Sequence, residues 1–267
     1  MPIYQLDRRE IKAEARALIR SGSVSPLRMT GLFLAIALVL ELIDAAVSYM
    51  IDTSGGFTVF SFSFVSILVA LIALVLNAGY TCYCFGIHRR ESMPYESLFD
   101  AFSFAGKVIL LSIVEYVFIV LWSLLFIIPG VIAAYRYSFA VMNLCENPEL
   151  GVMEALNLSK RQTFGYKWQL FVLQLSFIGW ALLAALIAGL AVSGAEYLIF
   201  GSFDTILSLE SAGSLSTAVS GALIDHGLSS LAVLYLAPYM QLSICGFYLR
   251  ATAPRGEAQQ PGWNGSV

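Results

Sequence analysis

The chain has 267 residues, of which 58% are hydrophobic and 12% are charged, and its mean hydropathy is +0.78. Because soluble domains carry charges on about a quarter of their residues, this composition excludes an ordinary soluble protein. Apolar runs of about 20 residues recur along the chain, which predicts several membrane-spanning helices. The net charge of −3 decides little, since in membrane proteins the placement of charges matters more than their sum.

Residues 1–24 predict a basic amphipathic helix that lies on the membrane surface. Asp7 and Glu10 have the spacing of a capping box, and we expect no cleaved signal peptide in this segment. The cations that recur at every fourth position and share one face are Arg8, Lys12, Arg16 and Arg20. Such a helix binds anionic lipid head groups, so the expected partner is the bilayer. Nucleic acid is not expected, because a membrane span follows directly.

Residues 25–250 predict a transmembrane bundle of about six helices. The expected spans are residues 26–51, 65–87, 108–128, 131–146, 168–192 and 227–249, with an amphipathic helix at 148–163. Pro129 and Gly130 are expected to form the break of a hairpin between the third and fourth spans. Residues 194–226 receive no assignment, and residues 251–267 form a polar tail. The predicted fold class is therefore all-α, a polytopic membrane helix bundle with amphipathic interfacial helices.

The positive residues predict that both termini are cytoplasmic. Fourteen of the fifteen Lys and Arg residues lie before the first span, between the second and third, before the fifth or after the last. Lys and Arg favour the cytoplasmic side, so the number of crossings is even. The residues before and at the start of the fifth span that we expect to contact lipid head groups are Lys160, Arg161, Lys167 and Trp168.

Arg136 is the remaining cation and lies inside the short fourth span. Residues 131–145 would form a helix about 22 Å long, less than a hydrocarbon core of about 30 Å. One central arginine also costs roughly 2.5–3.5 kcal/mol, so this helix needs its predecessor or an acidic partner. The estimated depths of Asp44 and Glu41 in the membrane match that of Arg136 best, so one of these two is the expected partner. Glu115 is expected to lie deeper, toward the cytoplasm. This charged cluster is either an ion pair that fixes helix register or an ion or proton path.

Other polar and sulfur-containing residues in the spans have more ordinary interpretations. Cys82, Cys84, Cys145 and Cys245 lie in apolar runs without metal-site spacing, and we expect them to pack between helices. The amides are expected to form interhelical hydrogen bonds, with a substrate-lining role as the alternative. These amides belong to Asn77, Asn143, Gln174 and Gln241.

Motifs that accompany catalysis are not found in the sequence. It lacks His-Glu-x-x-His, Gly-x-Ser-x-Gly, the phosphate-cradling Gly-x-x-x-x-Gly-Lys and Gly-x-Gly-x-x-Gly. The Asp225-His226 pair would matter only if a third group converged on it. We therefore expect no enzyme, no cofactor and no metal site.

Residues 128–180 carry a resemblance to a known family. In order they contain Ile-Pro-Gly, Tyr-x-Tyr-Ser, Glu-Asn-Pro, Glu-Ala, Lys-Trp and Leu-Ser-Phe-Ile-Gly-Trp. This order resembles domain-of-unknown-function family nine-seven-five, a bacterial family of multi-span integral membrane proteins. The N-terminal Arg-Glu-Ile-Lys-x-x-Ala-Arg is also similar to the start of that family. The resemblance implies a bacterial inner-membrane protein with about six helices and no established activity.

Two functions are compatible with these observations. The first is a non-catalytic membrane protein that organises or handles lipids or partner membrane proteins at the cytoplasmic face. The second is a small transporter or channel whose path is lined by Arg136, Glu115, Glu41 and Asp44. Its expected location is the bacterial cytoplasmic (inner) membrane, as a multi-pass protein.

Overall fold

The computed structural model describes residues 6–19, 25–53, 57–200 and 215–253, and these residues form helices and connecting turns without any strand. In chain order, the α-helices are α1 (Arg8–Leu18), α2 (Pro26–Thr53), α3 (Phe57–His88), α4 (Ala105–Leu125), α5 (Ile127–Tyr137), α6 (Ala140–Glu146), α7 (Val152–Gln162), α8 (Lys167–Phe200) and α9 (Leu215–Thr252). A 3₁₀ helix, Tyr95–Phe104, leads directly into α4.

Five helical segments of the described chain are long and apolar enough to cross a membrane. They are Pro26–Ser48, Ser63–His88, Tyr95–Leu125, Ile127–Glu146 and Lys167–Ile187. The sixth predicted span, 227–249, lies within α9, a 38-residue helix that contains Pro238. The prediction of an all-α, membrane-embedded helix bundle is confirmed. The cytoplasmic placement of the termini stays a prediction.

The chain divides into two compact units, and the first comprises the described parts of residues 1–29, 74–177 and 238–267. Its interior is well packed, because large side chains such as Tyr83, Phe247 and Tyr248 are fully buried. The ring of Phe139 contacts that of Tyr248 edge-on, with 5.2 Å between centroids. This packing joins the α5–α6 turn to the end of α9.

Asn143 lies at the centre of a hydrogen-bond network in the first unit. Its Nδ2 donates to the carbonyl oxygen of Ala155 at 3.3 Å, and its Oδ1 accepts from Gln162 Nε2 at 2.9 Å. The Tyr248 hydroxyl lies 2.9 Å from the same Oδ1 and 2.7 Å from Glu146 Oε2. The side chain of Asn143 therefore ties α6 to α7 and α9, as predicted for an interhelical amide.

The second unit comprises the described parts of residues 30–73 and 178–237, which belong to α2, α3, α8 and α9. Its large apolar side chains are strongly exposed, for example Phe64 at 62% and Leu186 at 61%. A water-soluble protein would not leave so many apolar groups uncovered, whereas lipid chains cover them at no cost. In this unit α2 lies beside α9 at Gly31, where an added Cβ would lie at van der Waals distance, 4.0 Å, from the Leu234 side chain.

The break of the α4–α5 hairpin lies at Phe126, three residues before the predicted position. Phe126 is extended, with φ −160° and ψ 152°, and it caps α5. Pro129 and Gly130 instead lie in the first turn of α5, where a proline is tolerated because few donors there have helical partners. Gly130 has a different role from a turn residue, since an added Cβ would collide with the Ser123 side chain. Its absence of a side chain lets α4 and α5 approach closely.

The cysteines also depart in part from the prediction. Cys84 and Cys245 are free and buried, as expected for packing residues. Cys82 of α3 and Cys145 of α6, however, form a disulfide with their Cα atoms 5.2 Å apart. Because 63 positions separate them in sequence, no local spacing could reveal this pair.

Candidate functional site

Helix α1 is fixed to the first unit through its apolar and acidic side chains. Ile11 and Ala15 are fully buried, and Asp7 caps the helix by accepting a hydrogen bond from the Arg9 N–H at 2.8 Å. Arg250, at the end of α9, forms ion pairs with Glu10 at 3.3 Å and with Glu14 at 3.0 Å. The basic side chains of α1 take no part in these contacts.

A groove of about 960 Å³ lies between α1 and the beginning of α8. We call it the basic groove, and its lining residues are Leu6, Asp7, Arg8, Arg9, Lys12, Gly165, Trp168, Gln169, Val172 and Ser176. The backbone N–H of Leu6 donates to Gln169 Oε1 at 3.0 Å, which closes one end. At the other end, Lys12 Nζ donates to Ser176 Oγ at 2.6 Å.

The turn between α7 and α8 positions the far wall of the basic groove. Gly165 has φ 87°, a left-handed conformation that favours glycine, and the chain enters α8 two residues later. Trp168 is therefore presented at the groove with 72% of its surface exposed. An exposed indole beside cations is typical of a membrane–water interface.

Positive charge is concentrated on the near wall of the basic groove. Lys12 Nζ lies 4.3 Å from the ring centroid of Phe177, a cation–π contact. Burial lowers the pKa of Lys12, and the neighbouring Arg8 and Arg16 lower it further. The charged form of Lys12 is thus disfavoured by its surroundings, so a bound anion would relieve the repulsion.

The other predicted lipid-contact residues that the structure describes are not among those lining the basic groove. Arg16 is exposed, and its Nε donates to the carbonyl oxygen of Lys12 at 3.2 Å. Lys160 and Arg161 are exposed in the last turn of α7, whereas Lys167 is half-buried at the start of α8. Arg20 lies outside the described residues. Their contact with lipid stays a prediction.

The predicted charged cluster is distributed over the two compact units. Arg136 and Glu115 belong to the first unit, and within the described chain no ion pair joins them. The side chain of Arg136 has a buried Nε without a hydrogen-bond partner among the described residues. Asp44 and Glu41 belong to the second unit. The pairing of Arg136 with either of them stays a prediction.

The backbone around Arg136 shows how the end of α5 is held. The carbonyl oxygen of Arg136 accepts hydrogen bonds from Ser159 Oγ at 2.9 Å and from Thr163 Oγ1 at 3.3 Å. Ser159 lies on the buried face of α7, and Thr163 is the buried C-cap residue of that helix. These bonds replace helical partners that the last carbonyls of α5 lack, so α7 stabilises this short, arginine-containing helix.

A separate cavity of about 290 Å³ lies among α3, α4, α6, α8 and α9 in the first unit. We call it the polar cavity, and its polar lining residues are Asn77, Thr81, Ser112, Ser138, Gln174 and Gln241. Three of the four predicted interhelical amides therefore converge on one space. Their shared location depends on contacts between distant helices and could not be inferred from their positions in the sequence.

Comparison with known proteins gives a single family. No curated protein and no solved structure matches the chain. A family model described as "Protein of unknown function (DUF975)" matches residues 113–254, from the middle of α4 to the end of α9. Since that match covers more than half of the sequence, the chain belongs to the DUF975 family.

Proposed function

We propose that the protein is a non-catalytic lipid-handling protein of the bacterial cytoplasmic membrane, and that the basic groove holds the phosphate of an anionic lipid. The observation that carries this proposal is the placement of Arg8, Arg9 and Lys12 along one groove that Trp168 also lines. The positive-inside pattern of the sequence supports a cytoplasmic position for this groove. Anionic lipids are the expected anions at that surface.

The chemistry of the groove suits a phosphate diester with attached glycerol and acyl chains. Guanidinium groups bind phosphate oxygens through paired hydrogen bonds, and Lys12 adds a compact charge beside them. Gln169 and Ser176 provide neutral polar groups at the two ends of the groove, while Val172 provides an apolar surface. An anionic lipid likewise combines a charged phosphate, polar glycerol oxygens and apolar acyl chains.

The fixed position of α1 supports specific binding over simple surface attraction. A helix that only rested on the membrane would leave its apolar face in contact with lipid. In α1 that face is buried in protein at Ile11, Ala15 and the C-cap residue Ile19, and Arg250 forms ion pairs with Glu10 and Glu14. The cations are therefore preorganised, which reduces the entropic cost of binding. A partner membrane protein at the same surface is a further expectation.

The test compares lipid retention by the full-length protein from nanodiscs of phosphatidylglycerol and phosphatidylcholine, measured by native mass spectrometry. The variant with Arg8→Gln and Lys12→Gln removes two groove cations. We expect retention of the anionic lipid to weaken about fivefold for each cation removed. The matched control with Lys160→Gln and Arg161→Gln removes the same charge from exposed positions on α7.

The control separates a built site from general electrostatic attraction. Retention that falls only in the groove variant supports the proposal, whereas equal losses in both variants contradict a site at the groove. Unchanged retention in both variants contradicts lipid binding through these cations altogether.

A further inference from the structure

The polar cavity contains hydrogen-bonding groups that the protein itself leaves unused. The side-chain amides of Asn77 and Gln174 line the cavity and have no hydrogen-bond partner among the described residues. Asn77 is exposed although it lies on α3, in a segment apolar enough to span a membrane. An unpaired amide in such surroundings costs free energy, so a ligand or water that pairs with it is favoured.

Other lining groups are already oriented by bonds within the protein. Thr81 Oγ1 donates to the carbonyl oxygen of Asn77 at 3.0 Å and accepts from Gln241 Nε2 at 3.0 Å. Ser138 Oγ donates to the carbonyl oxygen of Tyr135 at 3.0 Å. The Ser138 oxygen and the Gln241 carbonyl oxygen can still accept, and the second Gln241 N–H can still donate. The cavity thus offers fixed donors and acceptors together.

The charge and size of the polar cavity restrict its ligand. None of its twelve lining residues is charged, so an ion entering it would lose hydration without meeting an opposite charge. Its volume of about 290 Å³ is at the lower end for small-molecule sites. Apolar side chains such as Leu74, Val108 and Ile244 line the rest. A small, uncharged molecule with hydroxyl groups and C–H surfaces fits these conditions.

We propose that the polar cavity binds an uncharged vicinal diol, supplied either by a free polyol or by the glycerol head group of a monoacylglycerol. A carboxamide carries one donor and one acceptor side by side, and two adjacent hydroxyls can pair with both. Asn77 and Gln174 are the two amides open for this contact, and Ser112 and Ser138 supply hydroxyl groups from two other elements. This site is separate from the basic groove, which shares no lining residue with it.

The experiment measures retention of 1-monooleoylglycerol by the full-length protein in phosphatidylcholine nanodiscs, using native mass spectrometry. Oleyl alcohol, which has one hydroxyl, is the matched ligand. The variants Asn77→Leu and Gln174→Leu each replace one amide by an apolar group of similar size. Ser243→Ala is the control, because Ser243 Oγ is buried on α9 and donates to the carbonyl oxygen of Tyr239 outside the cavity lining.

We expect each amide variant to weaken retention of monooleoylglycerol about fivefold, and the control to leave it unchanged. Competition by excess glycerol or myo-inositol assigns the site to free polyols as well, whereas resistance to them assigns it to the lipid head group. Equal retention of oleyl alcohol overturns diol recognition. Unchanged retention in both amide variants overturns the site.

Separate controls test whether each variant folds. Each variant is compared with the parent by gel filtration and by its retention of phosphatidylglycerol, which under the proposed function depends on the basic groove. If Asn77→Leu fails to fold, Gln174→Leu decides, since Gln174 is on another helix. Loss of both ligands in every folded variant would indicate general damage and overturn the assignment to the cavity.

Discussion

The basic groove and the polar cavity belong to the same compact unit, but three cations line the groove and no charged residue lines the cavity. The groove is formed by α1 and the beginning of α8, close to exposed Trp168. The cavity lies among α3, α4, α6, α8 and α9, where a charge would be costly to desolvate. The comparison shows how one unit can provide a site for an anion and a site for a neutral molecule, with α8 contributing residues to both and the other helices to one each.

The largest expected effect is that of Gly130→Ala on the polar cavity. The added Cβ collides with Ser123, and overpacking of this kind costs about 1–3 kcal/mol. Since Ser112 of α4 and Ser138 after α5 line the cavity, separation of these helices should weaken diol retention. The basic groove contains neither helix and should keep its anionic lipid.

Gly106→Ala is the matched control for this change. Gly106 is also on α4, but nothing lies within 4 Å of an added Cβ there. Thermal unfolding and lipid retention should therefore stay at the parent values or improve slightly. A similar loss in both variants would show that the close approach at Gly130 is unimportant.

The next effect in size is that of Arg250→Leu on the basic groove. This change leaves Glu10 and Glu14 without their cation, and hydrogen bonds to charged groups contribute on the order of 2 kcal/mol. We expect faster amide hydrogen exchange throughout α1 and weaker retention of phosphatidylglycerol. Retention of monooleoylglycerol should be unchanged. A loss of both ligands would mean that the two sites are coupled.

A smaller effect is expected when pH is raised. Because its pKa is lowered, Lys12 loses its proton at a lower pH than an exposed lysine does. Anionic-lipid retention should therefore decline in the alkaline range before exposed lysines titrate, while diol retention stays level. Lys12→Arg keeps its charge throughout this range and should remove the early decline. The measurement is native mass spectrometry over a pH series. Identical pH curves for the parent protein and the Lys12→Arg variant would contradict a role for Lys12.

The smallest expected effect is that of Arg136→Ala on ion flux into liposomes. A lipid-handling protein should give the same low flux of protons and potassium before and after this change. Lys160→Ala, which removes an exposed cation from α7, is the control. Flux that depends specifically on Arg136 would favour a transporter or channel over the proposed function.

The helical, membrane-embedded class was predictable because composition and apolar run length report it directly. The turn between residues 163 and 168 was also expected, and Gly165 lies there, since glycine marks such boundaries locally. The start of α7 was less accurate, because this helix begins at Val152, four residues after the expected start at residue 148. The position of the break at Phe126 was harder to predict from the sequence. Phe126 itself has no turn preference, and the nearby proline was a stronger but misleading signal.

The candidate sites were predictable only as lists of residues. Arg8, Lys12 and Trp168 were recognised separately as interfacial groups, but the sequence does not show that residue 12 meets residue 176. The amides of Asn77, Gln174 and Gln241 were likewise identified one by one. Their convergence is a property of helix packing, as is the Cys82–Cys145 disulfide.

The contact of Arg250 with Glu10 and Glu14 has a consequence for tagging the protein. Side chains that touch cannot be separated by a bilayer, so α1 and the last turns of α9 share one compartment. Reporter domains fused before α1 and after α9 should accordingly both be protected, or both be digested, when protease is added to one side of sealed vesicles.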